Sequence, residues 1–435
     1  MPAEFHAQEL DPNLVRLVPI EGNITALNHF FQSLRDLELR RRFEPVRVLW
    51  IGDSHTAIDR ASGLLRSNLQ ERFGDAGRGM LAPGKPWEYF YPRRISPSQS
   101  DDWTTTSSFS KGAEGPFGFS GFRTTSASSK STMSAKASGW QFEKLAVETV
   151  VGPGRGRFRV IVDGQEIAVC PTSSETIGVR FVELTVPEPA TTLTVKPVGD
   201  GPVEILSWTL EKTGPGVVLD SHGIVGATVD LLSKWDQSIL QEEIRYRDPA
   251  LILLVFGTNE GFEDRLSMDR YRTRFAGYLK LLRTLAPEAS ILVVGPPDGN
   301  RISSRCLHPR DAKGRRLPKK SPADFDCAPL SDDERARYKE LFPRQGEPVT
   351  CRWHVPPNLG TVRTIQREET QRAGLAFWDW SQLMGGDCGM HRWYLADPSL
   401  AQSDHVHLTR QGYLATGQRL YEALIAEYDR FVTEK

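Results

Sequence analysis

Four widely separated segments carry side chains that together suit acyl transfer. In "VLWIGDSHTAIDR" (48–60) an apolar run breaks into Gly-Asp-Ser-His-Thr, with Ser54 at the break. A serine hydroxyl is a weak nucleophile and needs a base within hydrogen-bond reach. "SDHVHLT", near the C-terminus, offers one: Asp404 and His407 stand three residues apart. A tight turn at that spacing lets the carboxylate hold one imidazole nitrogen while the other takes a serine proton. His405 competes for the base role, but being adjacent to Asp404 it should point elsewhere. A developing oxyanion needs donors. Gly226, in "GIVGAT", has an unencumbered backbone N–H, and Asn259, in "FGTNEG", has a side-chain amide. Ser54 supplies a third donor through its own N–H. Each segment also has an ordinary reading, as a strand-end turn, a glycine turn or a helix cap. Their joint placement at element ends is the stronger signal.

The elements that must position them follow from periodicity. Leu27, Phe30, Phe31, Leu34 and Leu37 recur at helical spacing. "VRVLWIG" is a continuous apolar run, expected of a strand covered on both faces. "SGLLRSNLQERFG" reads as a helix stopped by Gly74. From Pro86 to about Thr213 the texture becomes short β-type runs between Ser/Thr/Gly-rich loops, with a hairpin signal at Asp163-Gly164. The α/β texture then returns, with "PALILLVFGTNEG" and "SILVVGPPD" as strands, "MDRYRTRFAGYLKLLRTLAP" as a helix, "LAFWDW" as a final strand and "GYLATGQRLYEALIAEY" as the terminal helix. Residues 299–350 are polar, basic and Pro-rich and read as a long loop or insertion.

The expected organisation is an N-terminal helical lead-in (1–40), an α/β domain in two parts (41–85 and 214–435), and an all-β sandwich of jelly-roll type (86–213) inserted between them. A chain of 435 residues exceeds what one core usually supports. Its net charge of −1 argues against a nucleic-acid surface. No apolar stretch has the length of a transmembrane helix. The start, "MPAEFHAQELDPNLVRL", lacks the pattern of a signal peptide, which fits a cytoplasmic protein or a mature chain. Cys306, Cys327, Cys351 and Cys388 fit one or two disulfides or reduced thiols equally well. The scattered Cys and His residues lack metal-site spacing, and serine acyl transfer needs no cofactor.

The ordered blocks "GDSH", "GIVGAT", "GTNE" and "DHVH" resemble those of the SGNH (GDSL-type) hydrolases. The resemblance spans roughly residues 40–85 and 215–435 and implies a three-layer α/β/α sandwich. It assigns Ser54 as nucleophile, His407 as base, Asp404 as its orienter, and Ser54, Gly226 and Asn259 as oxyanion donors. Glu260 departs from the aspartate usual after the asparagine. "GDSHTA", "GTNE" and "FWDWSQLMGG", with the inserted sandwich, are similar to bacterial peptidoglycan O-acetylesterases. That implies removal of O-acetyl groups from N-acetylmuramoyl residues in the cell envelope, with an acetylated glycan as partner and no nucleic acid. Alternatives are an esterase or acetyltransferase acting on another acetylated polysaccharide, and a glycan-binding protein without activity. Oligomeric state is not legible.

Weaker expectations attach to other residues. Asp53 and His55 flank Ser54 and satisfy turn hydrogen bonds or assist it. Trp378, Trp380 and Trp393 are candidates for a sugar-stacking wall, with packing favoured for the first two. Trp103, Phe117, Phe119 and Trp140 are candidates for glycan contact or sandwich core, core being favoured. "HPRDAKGRRLPKK" reads as a solvated loop.

Overall fold

The computed structural model describes residues 11–311, 313–343 and 348–434. The first ten residues, on which most of the signal-peptide reading rests, lie outside that range. The chain divides into two compact units. One comprises Ile24–Val255, Gly277–Leu292 and Tyr428–Lys435 and carries Ser54; the other comprises Met1–Asn23, Phe256–Ala276 and Val293–Glu427 and carries His407. No helix among the described residues is long and apolar enough to cross a membrane.

In the Ser54 unit, the Val46–Gly52 strand runs parallel to Val217–Gly223 on one side and Pro249–Val255 on the other. All but one of its residues are buried, as its unbroken apolar sequence requires. The Asn28–Glu38 helix turns Phe30, Phe31, Leu34 and Leu37 inward. The Ala61–Phe73 helix packs on the Val217–Gly223 strand and ends at Gly74, whose φ of +98° suits glycine.

The same unit holds two antiparallel sheets. One is ordered Gln165–Pro171, Arg157–Val162, Thr192–Pro197, Met133–Ala137 and Ile95–Gln99; the other Gly178–Ala190, Phe142–Val151, Val203–Glu211, Phe122–Ser126 and Thr104–Ser107. Asp163 and Gly164, both at positive φ, turn the hairpin between Val162 and Gln165, as the sequence signal predicts. The Gly77–Leu81 strand pairs with Val203–Glu211, so β-pairing of this kind already begins ahead of Pro86. Trp103 and Trp140 belong to a core that includes Phe142, Leu193 and Trp208. Phe117 and Phe119 are also buried. All four candidate glycan aromatics are therefore interior.

In the His407 unit, Ala376–Asp379 pairs antiparallel with Glu21–Gly22 and follows the Pro357–Arg372 helix. Trp378, Trp380 and Trp393 are all buried, their indole N–H groups donating to Val18 O, Thr416 Oγ1 and Leu14 O. They form no sugar wall; for Trp393 this corrects the expectation, because its ring is closed off by the N-terminal segment. Residues 299–350 contain short helices at Ser304–Leu307, Pro322–Asp324, Asp332–Ala336 and Tyr338–Leu341. Ser321 and Ser331 begin two of these with capping boxes. Two disulfides, Cys306–Cys351 and Cys327–Cys388, close spans of 45 and 61 residues. Loop-closure entropy at those lengths contributes about 4 kcal/mol each. Cys170 is a buried free thiol.

Candidate active site

Ser54 opens the short Ser54–Ala57 helix at the end of its strand. Two glycines make this sharp reversal fit. A Cβ on Gly52 would collide with the Thr56 hydroxyl and come within 2.5 Å of the Val255 carbonyl. One on Gly223 would stand 2.7 Å from Asp53 O. Asp53 is buried and its carboxylate accepts from the His55 N–H at 2.9 Å, a turn role that agrees with the sequence reading. Trp50 Nε1 donates to Thr56 Oγ1 at 2.9 Å.

The chain leaving this helix is anchored by charge. Asp59, at φ +46°, accepts from Arg66 Nη2 at 3.0 Å, Arg78 Nη2 at 2.9 Å and the Arg93 N–H at 2.8 Å. Burial alone would raise its pKa, but Arg66 and Arg78 outweigh that and hold the carboxyl far below the usual carboxylate range. Removing one partner of such a cluster leaves a buried charge uncompensated. Ser54 itself is only 8% exposed, so its side chain is held in a packed turn.

Gly226 lies in the same unit, just beyond the Val217–Gly223 strand, with φ +79°. A backbone in that region favours glycine, and any Cβ there would meet the Phe109 ring at 3.3 Å.

The His407 unit brings together the expected acid–base pair. His407 Nδ1 donates to Asp404 Oδ2 at 2.7 Å. Asp404 Oδ1 accepts the backbone N–H groups of Val406 and His407, both at 2.9 Å. Burial opposes ionisation of Asp404, but the His407 imidazole and the two backbone donors prevail and lower its pKa to about 2. The carboxylate therefore fixes the tautomer: Nδ1 carries the proton and Nε2 is left basic. The turn is closed by Gln402 N–H donating to His407 O at 2.8 Å. Asn259 is half-buried in the Thr258–Gly261 helix of the same unit. Gly257, at φ +129°, starts that helix where a Cβ would lie 2.8 Å from Gln366 Nε2. Gln366 in turn donates to Phe256 O and to Tyr271 Oη, both at 2.9 Å. Glu260 is buried.

His405 does not face the way His407 does. It sits at φ +55° and is fully buried, its ring stacked on Trp353 with centroids 3.6 Å apart. Its Nδ1 pairs with Ser403 O at 3.2 Å, and its Nε2 with His391 Nδ1 at 2.9 Å. A consistent assignment has His405 Nδ1–H donating to the carbonyl and His391 Nδ1–H donating to His405 Nε2. Burial, opposed by the Ser403 carbonyl and assisted by His391, lowers the His405 pKa to about 4, so it stays neutral. Asn300 ties this cage together: its N–H donates to His405 O at 2.8 Å and its Oδ1 accepts from His391 N at 2.9 Å. Asp298 supports Asn300 and the Met390 N–H, both at 3.0 Å, and burial pushes its carboxyl up to about 6. This supporting cage escaped the sequence reading. Its one trace is the polar run Asp298-Gly299-Asn300, two prolines beyond an apolar strand.

No family model and no curated protein matches the chain. Among solved structures it is similar to a peptidoglycan O-acetylesterase, at 22% identity with a TM-score of 0.70, covering 95% of this chain and 99% of that one. A family two carbohydrate esterase from Cellvibrio japonicus is much less similar, at 11% identity and a TM-score of 0.29, over 77% of this chain and 98% of that one. The first likeness, extending over nearly the whole of both chains, establishes that this chain has the fold of that esterase.

Proposed function

We propose that the chain is a serine esterase that removes O-acetyl groups from the N-acetylmuramoyl residues of peptidoglycan. The observation that carries the reading is the Asp404–His407 hydrogen bond of 2.7 Å, which leaves Nε2 as a base. The tightly packed strand-end turn at Ser54 and the shared esterase fold support it.

In this reading His407 Nε2 takes the Ser54 hydroxyl proton as Oγ adds to the acetyl carbonyl carbon. The Ser54 and Gly226 N–H groups and the Asn259 amide stabilise the negative oxygen. Collapse breaks the bond to the sugar oxygen, which takes the proton from the imidazolium. Water then adds to acetyl-Ser54, giving its proton to His407. Breaking the Oγ–acyl bond returns that proton to Ser54 and releases acetic acid, which ionises to acetate. Asp404 stays ionised throughout and steadies the imidazolium. We place the enzyme in the cell envelope, where an oxidising environment suits its two disulfides.

The test is acetate release from O-acetylated peptidoglycan, acetylated xylan and 4-nitrophenyl acetate, with Ser54→Ala alongside. Preference for peptidoglycan, with a loss of roughly 10⁶-fold in the variant, is expected. Preference for xylan would move the substrate to another polysaccharide. Undiminished activity in Ser54→Ala would overturn the mechanism.

A further inference from the structure

The four aromatic residues weighed as glycan contacts are interior, as the favoured core reading has it, so a sugar-facing ring has to come from elsewhere. The hairpin Thr104–Ser107/Phe122–Ser126 carries a long loop, residues 108–121. Ser108 N–H donates to Gly121 O at 2.9 Å and closes its base. The loop is fastened to the segment after the Val217–Gly223 strand at several points. Trp235 Nε1 donates to Ser108 Oγ at 3.1 Å, Asp236 N–H to Phe117 O at 2.9 Å, and Phe119 N–H to Glu243 Oε2 at 2.7 Å. The Phe119 ring meets Trp235 edge-on, with centroids 5.7 Å apart.

Unlike Phe117 and Phe119 of the same loop, Phe109 is not buried. Half of it is exposed, and the ring lies against Gly226, where an added Cβ would be 3.3 Å from Phe109 Cε1. Its neighbour on the glycine side, Val225, is exposed as well. A half-exposed phenyl ring on a flexible loop would signify little. This one is held at the edge of a proposed oxyanion donor by a loop fixed at both ends.

We propose that Phe109 is a specificity-determining residue: its open face takes the apolar C–H face of the pyranose ring that bears the acetyl ester. The proposal rests on the reading of Gly226 as an oxyanion donor. An aromatic face is suited to this because sugar C–H groups are weakly positive and ring faces weakly negative. Fixing the ring in advance reduces the ordering cost on binding. The β-sheet portion of the chain thereby contributes to ester selection directly.

The experiment compares kcat/KM for O-acetylated muropeptides and for 4-nitrophenyl acetate in the wild type, Phe109→Ala and Phe109→Trp. Binding of the same muropeptides is measured by titration in a Ser54→Ala background. Phe109→Ala should lower the muropeptide-to-small-ester ratio about tenfold and weaken muropeptide binding by a similar factor, and Phe109→Trp should restore both. Equal losses on both esters would make Phe109 a prop for Gly226 and overturn the proposal. An unchanged ratio and unchanged binding would overturn it too. A wild-type chain that releases acetate from no ester would instead defeat the esterase reading, and the binding measurement would then decide Phe109 alone.

Discussion

Replacing His405 with alanine tests whether the Asp404–His407 turn depends on the cage behind it. The imidazole stacks on Trp353 at 3.6 Å and accepts from His391, which is itself buried. Loss of the stack costs about 0.5–1.5 kcal/mol. Leaving the His391 donor buried and unsatisfied adds about 1–3 kcal/mol. The sum, about 1.5–4.5 kcal/mol, corresponds to a fall in melting temperature on the order of 10 °C for a unit of this size. The catalytic consequence is separate. Asp404 and His407 lie one residue before and two after His405, so a turn that relaxes by about 1 Å should lower kcat about 10²-fold while altering KM little. His405→Gly distinguishes the ring from the backbone, since glycine accepts φ +55° without strain. If the ring matters, both variants lose kcat. The assay is ester hydrolysis well below the melting transition. A His405→Ala enzyme that melts lower yet keeps kcat within twofold would refute the coupling, and one with unaltered melting would refute the packing argument.

Two further outcomes are expected. Asn259→Ala should lower kcat by roughly 10²–10³ with little effect on KM, as loss of one oxyanion donor does; steady-state kinetics showing a change in KM alone would make it a substrate-binding residue. Glu148 and Glu243 form a buried carboxyl pair: burial raises Glu148 to about 7 against the hydrogen bonds of Ser207 and Glu243, and burial together with repulsion from Glu148 raises Glu243. Between about pH 4.5 and 7 the folded Glu148 carboxyl holds its proton more than the unfolded one does, so stability falls as pH rises, by of the order of 3 kcal/mol. Thermal melting from pH 5 to 8 should show this decline, and Glu148→Gln should make it shallower; an identical slope in the variant would exclude Glu148 as its source.

How far the sequence led depends on the range of each interaction. The Ser54 turn was legible because a strand, a polar break and a helix follow one another in a single stretch. The Asp404–His407 pair was legible because a three-residue spacing nearly dictates its hydrogen bond. The Asp163-Gly164 hairpin is local for the same reason. The Gly77–Leu81 strand was missed because "GRGML" has little β character; its pairing with Val203–Glu211 supplies what composition does not. His405, Trp353, His391 and Asn300 meet across long sequence separations, and nothing in any one segment marks them as neighbours. Phe109 beside Gly226 is likewise a product of tertiary packing. Trp393 was misjudged because an aromatic residue near a candidate site looks the same in sequence whether it faces sugar or core.

The two disulfides are interleaved: Cys306 joins Cys351 across Cys327, and Cys327 joins Cys388 across Cys351. Four cysteines admit three complete pairings. Neighbours along the chain, Cys306 with Cys327 and Cys351 with Cys388, would form two separate small loops, which are easier to close by chance. The native pattern links the loops to each other, so neither can be threaded independently of the other's path. Trp353 lies two residues beyond Cys351 and His391 three beyond Cys388, which ties correct pairing to assembly of the His405 cage. A chain oxidised in the order of its synthesis would therefore tend to reach a covalently closed form whose Asp404–His407 turn is unsupported. The linkage makes thiol pairing a checkpoint on assembly of the His405 cage, passed when the crossed arrangement is reached.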